Sequence, residues 1–168
     1  MKNIKKILLL GTDTMLGHVI YLYFKRIKNY RILDYYLNEN FSGIGNKIDI
    51  ASPKKIENLL SGFKETIIIN TLSILIEESN NKFDKAIYIN SYLPNYIATL
   101  LKDTDNKLIT ISTDCVFSGK KGDYLEESLS DAKDNYGKTK AFGEINNAKD
   151  LTIRTSKLAL VLKINQKN

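Results

Sequence analysis

Two apolar runs in this chain are continuous rather than alternating: Ile7-Leu8-Leu9-Leu10 near the start and Ile67-Ile68-Ile69 further on. A strand with one face in water alternates apolar and polar residues, so such runs predict strands buried on both faces. Burial of that kind calls for a parallel sheet with helices packed above and below it. From Met15, apolar residues fall at Met15, Leu16, Val19, Ile20, Tyr23, Phe24 and Ile27, the stripe of a helix lying on a sheet. Residues 30–37 and 47–50 read as a second and a third strand. Ser52 and Pro53 open a helix to Leu60, with Ser as the cap and Pro in the first turn. A strand over residues 66–70 follows. Then comes a helical stretch over 84–101, with Ile87, Leu93, Ile97, Leu100 and Leu101 at its apolar positions and Pro94 near a start or a kink. A strand over 107–113, a helix over 135–147 and a strand over 151–155 complete the rhythm. The pattern predicts an α/β fold: a doubly wound parallel sheet with helices on both faces, forming one domain over residues 1–168 without repeats or linkers.

Composition narrows the function classes. With 43% hydrophobic and 26% charged residues, the chain is an ordinary globular sequence rather than a disordered one. The single cysteine, Cys115, cannot pair internally, which points to a reducing compartment. One His and one Cys are too few for a metal cluster built on those ligands, so no metal site is expected. The first apolar run stops at Gly11, far short of the roughly 20 residues that span a bilayer. Lys2, Lys5 and Lys6 before it are not followed by the apolar stretch and cleavage site of an export signal. The expectation is a cytoplasmic protein without a membrane partner. Net charge is +6, yet only Arg26, Arg31 and Arg154 among the 25 cations are arginine, and the lysines are scattered. A nucleic-acid footprint would cluster its cations on one face, so no nucleic-acid partner is expected.

Two segments carry chemistry. Gly11-Thr12-Asp13-Thr14-Met15-Leu16-Gly17 lies between the first strand and the first helix. Glycines there let the chain turn tightly and bring backbone amides to a pyrophosphate, which the helix N-terminus also favours; the alternative is a plain strand-to-helix turn. The second segment is Ser112-Thr113-Asp114 at a strand end, followed by Tyr136-Gly137-Lys138-Thr139-Lys140 on a helix. Tyr136 and Lys140 are four apart and share a helix face. An ammonium beside a phenol favours the phenolate, so Lys140 is expected to lower the Tyr136 pKa toward working pH and make it a proton donor or acceptor. Thr113, at a strand's carboxyl end, can donate a hydrogen bond to a substrate carbonyl. A surface Tyr–Lys pair is the plainer alternative.

The stretches GTDTMLGHVI, IIINTLS, INSYLPNYIATL, ISTDCVFSGKKGDYLEES, DNYGKTKAFGE and LTIRTS together resemble the extended short-chain dehydrogenase/reductase superfamily, in its dTDP-4-dehydrorhamnose reductase-like branch. The resemblance implies a Rossmann-type fold and NADP or NAD as cofactor. It also implies a catalytic trio of Thr113, Tyr136 and Lys140. Tyr136 would protonate the alkoxide oxygen as hydride reaches the carbonyl carbon, while Lys140 would lower the Tyr pKa and hold ribose hydroxyls. The implied cofactor-binding set is Gly11, Thr14, Met15, Leu16, Gly17, Asp49, Asn70, Thr71, Leu72, Tyr136 and Lys140. Asn70, Thr71 and Leu72 would line the cofactor trough, and Asp49 would reach the adenine or else be solvated. Asp34 is a candidate for the ribose hydroxyls, leaving NAD against NADP open. Asn90 would orient Lys140 through water or cap a helix. Glu126 and Glu127 are read as loop carboxylates near substrate or in solvent.

The implied activity is reduction of a 4-keto-6-deoxy nucleotide sugar in surface-polysaccharide synthesis. Alternatives are a nucleotide-sugar epimerase of the same superfamily and a non-catalytic dinucleotide-binding module or fragment. Two departures from the family carry expectations. Thr14 falls where the family has its middle loop glycine, which predicts crowding of the pyrophosphate. Family members also continue past the strand matching Leu151–Arg154, so a substrate-binding region is expected to be largely absent. Leu158, Leu160, Val161, Leu162 and Ile164 are then expected to be exposed and to promote self-association, giving a possible homo-oligomer.

Overall fold

The computed structural model describes residues 4–38, 45–50 and 52–156. Six strands form one sheet: β1 (Lys5–Leu10), β2 (Tyr30–Tyr36), β3 (Asn46–Lys47), β4 (Thr66–Asn70), β5 (Lys107–Thr113) and β6 (Leu151–Thr155). They are ordered β3-β2-β1-β4-β5-β6, and every pairing is parallel. The expected parallel sheet is therefore present. Its order reverses at β1, which places a topological switch point between β1 and β4, where doubly wound folds bind ligands beyond the strand carboxyl ends.

The helices are α1 (Met15–Lys25), α2 (Pro53–Ser61), α3 (Ile76–Asn81), α4 (Phe83–Ala86), α5 (Leu93–Leu101) and α6 (Asn135–Phe142). The first apolar run is buried as read, with Ile7 to Leu10 at most 1% exposed, and in the second Ile68 and Ile69 are buried while Ile67 is partly so. Leu8, Leu10, Ile68 and Leu108 point to one face and meet Ile56 and Leu60 of α2 and Leu93, Ile97 and Leu101 of α5. Ile7, Leu9 and Ile69 point to the other and meet Tyr21 of α1. Each such side chain contributes roughly 1.5–3 kcal/mol on burial.

Several expectations change in detail. The α1 stripe is rotated: Gly17 and Tyr21 face the sheet, while Met15, Val19 and Tyr23 are about half exposed or more. The cause is Gly17, which adds no hydropathy yet marks the closest approach of α1 to the glycine loop. A Cβ there would lie 2.0 Å from the Gly11 carbonyl oxygen. Ser52 sits at the α2 N-cap position without a side-chain cap bond, and Pro53 opens the helix as expected. The third strand is shorter than read, because beyond Lys47 Ile48 keeps only its N–H bond to the Tyr36 carbonyl. The long helix over 84–101 is broken: α4 ends at Ala86, a π-helical turn runs Ile87–Tyr92, and Pro94 stands in the first turn of α5. The helix after Tyr136 ends at Phe142 rather than Asn147. Its cap, Gly143, passes so near the Asn90 carbonyl that a Cβ would lie 1.8 Å away, and the chain turns there toward β6.

Helical cover also departs from expectation. On the α1 face, β6 presents Leu151 at 51% and Ile153 at 40% exposure among the described residues. Leu158, Leu160, Val161, Leu162 and Ile164, the residues tied to self-association, lie outside the described residues. No described helix is long and apolar enough to cross a membrane.

Candidate functional site

Because all strands run parallel, the loops after β1, β2, β4 and β5 share one edge of the sheet. The first of these is Gly11 to Gly17. Gly11 has φ +97°, a conformation that L side chains rarely adopt, and a Cβ on it would lie 2.7 Å from Thr71 Oγ1. The Gly11 and Thr12 amides donate to the Tyr35 carbonyl, tying the loop to β2. Thr14, the expected crowding residue, is the N-cap of α1. Its hydroxyl accepts from Gly17 N–H at 3.0 Å and lies 2.9 Å from both the Gly11 carbonyl and Thr71 Oγ1. The side chain is thus turned into the loop. Met15 starts α1 about half exposed, and Leu16 is partly buried.

The loop after β4 locks this turn. Thr71 is buried, and its hydroxyl lies 2.9 Å from the carbonyls of Leu10 and Gly11. Asn70 accepts from the Leu72 amide, and both residues are buried. Asn90, carried by the π-helical turn, accepts from the Ile74 amide. It also donates to the Ile74 carbonyl and Thr139 Oγ1. Asn90 thereby clamps this loop to α6.

Thr113, Tyr136 and Lys140, the expected trio, lie together at the end of β5. Thr113 ends β5, donates to Asp114 and accepts from the Cys115 amide. Tyr136 is 6% exposed on α6, one turn before Lys140, which is equally buried. Lys140 Nζ donates to the Ile111 carbonyl at 2.5 Å, two residues before Thr113. The expected lowering of the phenol by Lys140 is not what the structure shows. Burial pushes the Tyr136 pKa above its ordinary value, and the Ser73 and Thr113 hydroxyls beside it pull it back in part.

Two residues escaped the sequence reading. Ser73 Oγ is buried, closes no hydrogen bond of normal geometry within the described residues, and faces Tyr136. Only its distance past the end of β4 could have signalled it. Asp13 accepts from the Leu37 and Asn38 amides at 3.1 and 2.8 Å, at the carboxyl end of β2. Asp34 instead lies inside β2, buried beneath Thr12, and burial raises its pKa. It therefore does not stand where ribose hydroxyls would pass. Asp49 is half exposed and paired with Lys55. Glu126 is exposed and offers its backbone carbonyl to Arg154, and Glu127 is exposed as well.

Arg154 and Glu144 brace the site from below. The guanidinium donates to Glu144 through Nε at 2.9 Å and Nη2 at 2.7 Å, and Glu144 also accepts from Ser112 at 2.6 Å. This joins β5, β6 and the segment after α6. A groove of about 370 Å³ lined by Leu37, Ile50, Tyr88 and Ile89 opens beside the end of β2. A larger hollow, about 510 Å³, lies at the opposite edge of the sheet near Leu60 and Asn106, away from these groups. A loop with no room for a Cβ, leading into an α-helix N-terminus, fits a dinucleotide pyrophosphate; the Ser73 and Thr113 hydroxyls beside a buried phenol fit a carbonyl substrate.

Comparison with known proteins gives the family and the fold. A family model described as "RmlD substrate binding domain" matches residues 5–164. The spore coat polysaccharide biosynthesis protein SpsK of Bacillus subtilis is 29% identical over 99 residues, 58% of this chain and 35% of that protein. The dTDP-4-dehydrorhamnose reductase of Aggregatibacter actinomycetemcomitans is 28% identical over 101 residues, 59% of this chain and 34% of the reductase. A crystal structure of a hypothetical dTDP-4-dehydrorhamnose reductase from Sulfolobus tokodaii superposes with TM-score 0.80 at 26% identity, covering 89% of this chain and 55% of that one. The matched region is thus about a third of each curated relative and about half of the solved one. Structures of the same fold include complexes with NADP and with NAD. The chain belongs to the RmlD substrate binding domain family, and its Rossmann-type sheet is that of dTDP-4-dehydrorhamnose reductases.

Proposed function

We propose that this chain carries the dinucleotide-binding and proton-donating machinery of a cytoplasmic reductase acting on a 4-keto-6-deoxy nucleotide sugar. The observation that supports this best is the placement of Tyr136, buried with Ser73 and Thr113 at the same sheet edge as the Gly11–Gly17 cradle. When bound, a reduced nicotinamide would supply hydride to the substrate carbonyl carbon. Tyr136 would give its proton to the carbonyl oxygen, turning ketone into alcohol. Its raised pKa keeps that proton in place at neutral pH, as an acid in the reducing direction requires. Thr113 would turn its hydroxyl from Asp114 to the same oxygen. Lys140, anchored on Ile111, would hold the ribose hydroxyls.

The test is consumption of NADH or NADPH in the presence of dTDP-4-dehydrorhamnose. Wild-type chain is expected to turn over, and Tyr136→Phe to lose about 100-fold or more in kcat with cofactor affinity changed far less. A Tyr136→Phe variant as active as wild type would remove Tyr136 from the chemistry. Cofactor binding without turnover of any keto-sugar nucleotide would favour the non-catalytic module.

A further inference from the structure

We infer that the chain selects NAD(H) over NADP(H), and that Asp13 is the residue that makes the choice. This rests on the dinucleotide reading above and deepens it. The two cofactors differ only by a phosphate on the 2′-oxygen of the adenosine ribose. In folds of this topology that oxygen passes the carboxyl end of the second strand. Here the end of β2 is occupied by the Asp13 carboxylate, which accepts from the Leu37 and Asn38 amides at 3.1 and 2.8 Å.

Three features point the same way. First, Leu37 and Asn38 also line the groove of about 370 Å³, whose apolar walls, Ile50, Tyr88 and Ile89, suit an adenine ring. An adenosine seated there brings its ribose to Asp13. Second, the two backbone amides that would otherwise hold a phosphate are already taken by a carboxylate. That carboxylate keeps unused lone pairs for ribose hydroxyls and repels a phosphate dianion. Third, the groove itself is lined by one cation among the described residues. No Lys or Arg occurs between Arg31 and Lys47 in the sequence, and the ammonium in the groove, Lys85, is held by Glu78 Oε1 at 2.9 Å. Asp34, the candidate that the family resemblance offered for this task, is buried beneath Thr12.

The test is calorimetric titration of the whole chain with NADH and with NADPH. NADH is expected to bind at least about tenfold more tightly, a difference of about 1.4 kcal/mol. Asp13→Asn, nearly isosteric but uncharged, is expected to bring the ratio close to one, chiefly by tightening NADPH. A second comparison needs no variant: ADP-ribose against its 2′-phosphorylated form on wild type isolates the phosphate. Its penalty is expected to shrink as salt screens the carboxylate. NADPH binding as tightly as NADH, or an Asp13→Asn variant with an unchanged ratio, would overturn the inference while leaving the dinucleotide reading standing. Binding of neither cofactor would instead overturn that reading, and this inference with it.

Discussion

At Thr14 a single hydroxyl serves both the loop and the helix. Its bond from Gly17 N–H satisfies one of the unpaired amides of the first helical turn, and its proximity to Thr71 joins the loops after β1 and β4. Thr14→Ala is therefore expected to destabilise the fold by about 1 kcal/mol, read as a lower midpoint in chemical denaturation. An unchanged midpoint would mean that the cap contributes nothing. The same residue shows how far a motif can be read without coordinates. Its place in the glycine pattern was legible, but the direction of its side chain was not, because that depends on Thr71, 57 residues away. Asp13 and Asp34 teach the same lesson: the family resemblance offered Asp34 as a candidate, whereas the strand pleat buries it and the Asp13 carboxylate meets the strand end.

Among the elements, the segment between β5 and α6 is organised around one carboxylate. Asp131 accepts from the Ser118 amide at 2.7 Å and from the Ser118 hydroxyl at 2.6 Å, and the Tyr124 hydroxyl adds a third bond. The Ser118 bonds hold its carboxyl below the ordinary carboxylate range. A depressed folded pKa means that the native state binds fewer protons than the unfolded chain. The contribution is thus fully present above the unfolded value and is lost as pH falls through the folded one. Melting temperature is expected to fall with acidification in wild type and to fall less steeply in Asp131→Asn. Parallel pH profiles would remove Asp131 from the acid response. The strand was legible here because β5 has a strong apolar pattern, whereas the Asp134 cap that opens α6 went unread. The bonds that organise residues 117–131 were not legible either, since they join polar residues that hydropathy does not distinguish. For a similar reason the π-helical turn went unread: its cause is the need to aim Asn90 at Ile74 and Thr139, a tertiary demand on a locally helical sequence.

Across the whole molecule, one edge of a parallel sheet gathers the cradle after β1, the clamp after β4, Thr113 at the end of β5 and the buried Tyr136 of α6. The alternation of strands and helices made that convergence foreseeable, since parallel strands send every connecting loop to the same edge. The larger hollow near Leu60 and Asn106 lies at the other edge and has no part in it. The most direct test is to titrate the ¹⁵N-labelled chain with NADH and follow its amide resonances. Shifts are expected at Gly11–Gly17, Leu37, Leu72, Ser73 and Thr113–Cys115, with Asn106 and its neighbours unmoved. Saturating NADH that shifts nothing, or that shifts only the residues around Asn106, would contradict the account.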